Sequence, residues 1–272
     1  MNIGVNTWGL SKEFKKDFSR TLDKLKEIGV EEIEPCFVLT DSFNFFKRIG
    51  FFIGLTLNGT SGSNWFYHLI DKKMSVVKEK GLNVKYVHLT FIMPDKKALG
   101  KMIPTAKALA LKYNIKGYVI SLLPKDISTA RRYLDDINSF NEALKEINCK
   151  TIYHNHSEEM NSALDFLMDS VPDMYLEFDV GWSVIGEKDP LEIINKYNNR
   201  INIIHLKDVP EGKKKDLSTI IGEGSVDLKG IIEATKDKYL SGEIEYIIDQ
   251  DASKGDIITD LQKGIKNIEQ YL

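Results

Sequence analysis

Short runs of β-branched and aromatic residues alternate along this chain with longer stretches whose apolar positions recur every three or four residues. The first run covers residues 3–7 and predicts a strand. It is followed by a helical stripe, Phe18, Leu22, Leu25 and Ile28, which Gly29 ends as a glycine past a helix C-terminus does. Further strands are predicted over 30–37, 84–90, 117–122, 150–155, 174–180, 201–207 and 243–249, giving eight. Helical stripes fill the gaps. The longest is Ile127, Ala130, Leu134, Ile137, Phe140, Leu144 and Ile147, and the last runs from Ile258 to Leu272.

Eight strand–helix units in 272 residues come to about 34 residues each, the usual size in a (β/α)8 barrel. An open doubly wound sheet has the same alternation. Its first βα turn normally carries a glycine-rich phosphate loop, and here that turn reads Trp8-Gly9-Leu10-Ser11. The expected fold class is therefore α/β, a (β/α)8 TIM barrel, as a single domain over 1–272. One stretch, 38–64 after the second strand, is too long for the regular beat. It holds Phe43, Phe45, Phe46, Phe51 and Phe52 before a glycine- and serine-rich run, and residues 51–57 would also pass for a strand. On the catalytic face such a loop serves as a lid or as an aromatic packing surface.

Composition narrows the class of partner. Hydrophobic residues at 42% and charged residues at 28% describe a globular protein, and a net charge of −3 argues against a dedicated nucleic-acid binder. Cys36 and Cys149 cannot build a disulfide framework or a four-cysteine zinc site. No membrane-length apolar run and no leader-like start are present, so a cytoplasmic protein is expected, with a homo-oligomer left open.

In a barrel the chemistry gathers at the C-terminal ends of strands. Here those ends read Tyr153-His154-Asn155-His156, Glu177-Phe178-Asp179, His205-Leu206-Lys207-Asp208 and Asp249-Gln250-Asp251. Strand side chains alternate, so His154 and His156 share a face, as do Glu177 with Asp179 and His205 with Lys207. Imidazoles and carboxylates converging from neighbouring strand ends are what a divalent cation needs. Four of the five histidines fall near such ends; His68 alone sits on a helix and reads as surface.

These motifs, together with Ile221-Gly-Glu-Gly-Ser-Val-Asp227 and Ile247-Ile-Asp-Gln-Asp251, resemble the sugar phosphate isomerase/epimerase family of the xylose-isomerase-like TIM barrels. The likeness is ordered over roughly residues 150–272. The N-terminal half matches loosely, through Val30-Glu-Glu-Ile-Glu-Pro35 and His88. The resemblance implies one divalent metal ion on four strand-end residues: Asp179 and His205 directly, Asp249 where the family usually has glutamate, and His154 on the fifth strand. Glu159 matches an acidic residue that the histidine-asparagine-histidine branch carries just past that strand, and it stays open whether Glu159 or His154 is the ligand there. Family epimerases use two metal-bound glutamates as their acid/base pair. His154 and Asp249 stand in those places here, so that mechanism does not transfer intact.

The leading expectation is a metal-dependent isomerase or epimerase acting on a sugar, keto-sugar or cyclitol, phosphorylated or not, through a metal-stabilised enediolate. Glu159 and His156 are the candidates for proton transfer, with Glu34 third and Lys207 as stabiliser of the developing charge. Trp8, Trp182 and His88 are the candidates for substrate contact, against rim packing and, for His88, a satisfied core histidine. Mixed nitrogen and oxygen donors suit Mn, Co or Zn better than Mg. Gly222-Glu223-Gly224 is either a phosphate cradle or, in preference, a tight turn with Asp227 capping the next helix, while Lys213-Lys214-Lys215 reads as a solvated loop. A dehydratase on the same site is the close alternative. Charge and histidine count speak against a DNA-repair relative on the same barrel, and a sugar-binding barrel without chemistry is the distant reading.

Overall fold

The computed structural model describes residues 3–40, 64–92, 96–212 and 217–272. Most of the phenylalanine-rich stretch after the second strand and the three consecutive lysines lie outside the described residues.

Nine strand segments form one parallel sheet: β1 (Gly4–Asn6), β2 (Ile33–Glu34), β3 (Cys36–Thr40), β4 (Tyr86–Ile92), β5 (Gly117–Ser121), β6 (Lys150–His154), β7 (Tyr175–Asp179), β8 (Ile201–Leu206) and β9 (Glu245–Ile248). From β3 the order runs through consecutive strands to β9, then β1 and β2. Because β2 and β3 are two halves of one run split at Pro35, which has no N–H to give a ladder, the sheet closes on itself as an eight-stranded barrel. The first half pairs with β1 and the second with β4. Pro35 bridges the seam, its carbonyl accepting from His88 N at 2.9 Å. The predicted second strand therefore begins three residues late and is broken in two.

Helices flank the strands, bounded by ordinary chemistry. Asp17, Asp126, Asp179, Asp189, Asp227 and Asp256 each cap a helix N-terminus through the side chain. The long predicted stripe after β5 is two helices, Ile127–Arg131 and Leu134–Lys145, and Ala130, Ile137, Phe140 and Leu144 of its apolar face are buried.

Period-two alternation stacks the barrel interior in tiers. Tyr86, Val119, Ile152, Ile203 and Ile247, with Tyr175 against them, make an apolar floor. Two residues further along the same strands come His88, Ser121, His154, Glu177, His205 and Asp249, all buried. Two residues beyond those come Thr90, His156, Asp179, Lys207 and Asp251 at the mouth. An apolar tier below and a polar tier above gather the histidines and carboxylates of the interior at the C-terminal end. Gly9 closes the rim, because a side chain there would fall 1.8 Å from the Gln250 carbonyl oxygen.

Candidate active site and metal centre

A cavity of about 510 Å³ opens at the C-terminal mouth, walled by Trp8, His88, His154, His156, Trp182 and Lys207, with Asp249 and Asp251 along one side. The fold thus brings together ten of the eleven residues singled out by sequence. Glu159 is the exception. It lies in a 3-10 turn, Ser157–Asn161, beyond the strand, where alternation no longer governs direction. Its carboxylate turns back, accepting from Tyr153 Oη at 2.8 Å and from His156 N at 2.6 Å. It holds the turn that carries His156 and does not line the cavity. Burial pushes its carboxyl up to about 7, against the two hydrogen bonds.

His154, Asp179, His205 and Asp249 offer ligand atoms that all lie within 4.8 Å of one another, and all four are buried. Local interactions aim each one. Asn155, between the two histidines, clasps the end of β7: its side chain accepts from Asp179 N at 3.0 Å and donates to Asp179 O at 3.2 Å. Asp179 Oδ1 is spent on Trp182 N at 2.7 Å, which leaves Oδ2 free to face inward.

Beneath this set lies a residue the sequence reading placed on the inward face without giving it a role. Glu177 Oε1 sits 2.8 Å from His154 Nδ1, 3.1 Å from His205 Nε2 and 3.3 Å from His88 Nδ1. Glu34 Oε2 takes His205 Nε2 at 2.8 Å and Asn6 Nδ2 at 2.9 Å, with Oε1 3.5 Å from His88 Nδ1. His88, His154, Glu177 and His205 form a second donor cluster that shares two members with the first. A carboxylate oxygen can only accept, so these contacts put protons on His154 Nδ1 and His205 Nε2. Carboxylates behind ligand imidazoles fix their tautomer and aim in this way.

That tautomer leaves His205 Nδ1 with a lone pair 3.4 Å from Asp249 Oδ2 and 3.9 Å from Asp179 Oδ2. His205 Nδ1, Asp179 Oδ2 and Asp249 Oδ1 are all buried without a hydrogen-bond partner. Electron-rich atoms buried this close together call for positive charge beside them. The residues present therefore fit a divalent cation, and their oxygen and nitrogen mixture suits one. Burial pushes Asp179 up to about 7 despite Lys207, whereas His205 is driven well above its usual range because Glu177, Glu34 and Asp249 outweigh its burial.

Around the centre, Lys207 Nζ bonds Asp251 Oδ2 at 2.7 Å and Asp249 Oδ2 at 2.8 Å, lying 5.0 Å over the Trp182 ring. The His156 ring packs 5.2 Å from the same indole. Burial and the Lys207 charge hold His156 down at about 3, so its imidazole is neutral near pH 7. His68 is exposed on its helix, as expected.

The glycine loop before helix Leu228–Ser241 settles as a turn. Asp208 accepts from Val209 N, Gly222 N, Gly224 N and Val226 N at 2.8–3.1 Å, filling with its own carboxylate the amide nest that a phosphate would use. Asp227 caps helix Leu228–Ser241 by accepting from Gly230 N at 2.9 Å.

Comparison with known proteins fits this architecture. A sugar phosphate isomerase/epimerase structure from Parabacteroides distasonis superposes with a TM-score of 0.72 at 20% identity, covering 99% of this chain and 94% of that one. A xylose isomerase-like TIM barrel protein from Mycobacterium smegmatis, in complex with magnesium, gives 0.67 at 14% identity over 99% and 96%. The fold is that of the xylose-isomerase-like TIM barrels. A probable 3-DHS dehydratase from Bacillus anthracis shares this barrel, with a TM-score of 0.69 at 13% identity and 99% of each chain covered. Sequence relatives of the xylose-isomerase-like barrel seen here include inosose dehydratases. That of Clostridium tetani is 27% identical over 169 residues, 54% of this chain and 57% of that protein. That of Lacticaseibacillus casei is 30% identical over 143 residues, 45% and 48%. The chain spans about half the length of the curated relatives it matches. No protein-family profile matches it. Among the described residues, no helix is long and apolar enough to cross a membrane.

Proposed function

We propose that this protein is a lyase that removes water from a neutral polyhydroxy ketone, a keto-cyclitol or keto-sugar, in the cavity at the barrel mouth. The observation that carries the proposal is the buried donor set of His154, Asp179, His205 and Asp249, in which His205 Nδ1, Asp179 Oδ2 and Asp249 Oδ1 have no hydrogen-bond partner, beside a cavity lined by two tryptophans. The relatives named inosose dehydratase support elimination over the isomerase or epimerase outcome. So does the cavity wall, whose described residues include no glutamate. Neutral substrate fits the charge: Lys207 is the one lysine or arginine among the described residues of the wall, and carboxylates already engage it.

A divalent cation on those four residues, Mn, Co or Zn in preference to Mg, supplies Lewis acidity toward the carbonyl oxygen and acidifies the adjoining C–H. The neutral His156 imidazole accepts that proton; Glu159, bonded to its backbone N–H, positions it and does not itself transfer the proton. The Lys207 ammonium donates to the oxygen on which charge develops. The C–O bond to the β-hydroxyl then breaks, and the departing hydroxide takes the proton held by His156 to leave as water, which returns the imidazole to its neutral form. Glu34 and Glu177 are positioning residues behind His205, His154 and His88, and Trp8 and Trp182 offer apolar faces to the ring. Incubation of the Mn²⁺- or Co²⁺-reconstituted protein with keto-cyclitols and ketoses, followed by mass spectrometry, tests this. Products lighter by one water support the lyase. Products of unchanged mass in H₂O that become heavier through deuterium uptake in D₂O identify an isomerase or epimerase, and binding without conversion identifies a sugar-binding barrel.

A further inference from the structure

Lys207 touches the same carboxylates that the proposed cation would use. Its Nζ is 2.8 Å from Asp249 Oδ2 and 3.6 Å from Asp179 Oδ2, while a third partner, Asp251 Oδ2 at 2.7 Å, lies outside the donor set. The ammonium is buried, and its stem passes so close to the start of the helix after β7 that a Cβ on Gly181 would fall 2.6 Å from Lys207 Cγ. Asp179 and Asp249 are themselves buried and need positive charge whether or not a divalent ion is present.

We infer that Lys207 is the resident counter-cation of this centre, neutralising Asp179 and Asp249 when no divalent ion is bound and withdrawing onto Asp251 when one binds. The inference rests on the cation reading proposed above. Asp251 is the parking position: it lines the cavity, so the withdrawn ammonium faces the substrate. Loading the metal and presenting the N–H donor are then a single event.

Co²⁺ titration against a competing chelator tests this in wild type, Lys207→Met, Asp251→Asn and the double variant, with melting curves in chelator alongside. Lys207→Met is expected to bind Co²⁺ at least about tenfold more tightly and to melt lower without metal, since two buried carboxylates lose their partner. Asp251→Asn is expected to bind Co²⁺ more weakly in the wild-type background and with little change in the Lys207→Met background. Unchanged or weaker binding by Lys207→Met, or the same Asp251→Asn factor in both backgrounds, overturns the role of Lys207 while leaving the cation site standing. No Co²⁺ binding by any of the four proteins removes the cation reading and this inference together. Should Lys207→Met fail to fold, crystal structures of wild type with and without Zn²⁺ read the same event. Nζ is expected to leave Asp249 and keep Asp251, and a retained Asp249 contact refutes it.

Discussion

Glu159 stands at the boundary between a structural and a chemical role, and its substitution by glutamine separates the two. The carboxyl is sealed behind the barrel mouth with Tyr153 Oη and His156 N as its partners. Burial raises it from 4.5 to about 7. An acid whose folded value lies above its unfolded value holds its proton longer when folded. The unfolded chain therefore binds fewer protons between those values, and stability falls as pH rises from 4.5 through 7. A shift of that size is worth about 3 kcal/mol once ionisation is complete. Glutamine keeps an acceptor for the His156 amide and can still engage Tyr153, but it carries no charge. Glu159→Gln should thus gain on wild type as pH rises, by up to about 3 kcal/mol, or on the order of 6 °C in melting temperature, between pH 4.5 and pH 8. Paired urea and thermal denaturation at several pH values reads the difference, in which the other titrating groups cancel. A difference that stays flat with pH, or that turns against the variant at high pH, refutes the reasoning. Turnover supplies the second arm: a variant that keeps most of its turnover confirms a positioning role, and abolished turnover with retained metal restores Glu159 as a proton carrier.

Two further outcomes follow from the site and its surroundings. Elemental analysis should find about one equivalent of Mn, Co or Zn in wild type and none in His205→Ala, which removes the nitrogen facing Asp179 and Asp249; metal retained in the variant would move the site elsewhere. Asp208→Ala strips four backbone amides of their acceptor and should cost about 2 kcal/mol or more in urea denaturation, with little effect on metal content.

Much of this arrangement could be read before any coordinates, because period-two alternation is a strict rule within a strand. The inward parity of His154, Asp179, His205, Lys207 and Asp249 follows from it, and the barrel supplies the convergence. Glu177 shows where the rule stops. Its parity was visible, but its place at the meeting of three imidazoles depends on His88, His154 and His205 from three other strands. Glu159 illustrates the opposite limit, since past the strand end a 3-10 turn sends it backward onto Tyr153, whose own parity points outward. The nest around Asp208 was hidden for another reason: glycine loops that bind a phosphate and those that bind an internal carboxylate present the same amides. Pro35 was visible as a residue, but its effect on the second strand emerged only with two different neighbours on either side of it.

That split strand sets an order of opening for the barrel. On the β1 side the seam is held by two register pairs, Val5 with Ile33 and Asn6 with Glu34, while on the other side five successive pairs bind β3 to β4. Local fluctuations select the weaker border. Amide protons of Val5 and Thr7, which donate to the Glu32 and Glu34 carbonyls, should exchange with solvent ahead of those along β4. Glu34 rides on this border, and its carboxylate holds the Nε2 proton of His205. Each opening of the seam therefore takes away one of the two carboxylates, Glu34 and Glu177, that aim the imidazole facing Asp179 and Asp249, so this short border bears on how long the centre stays assembled.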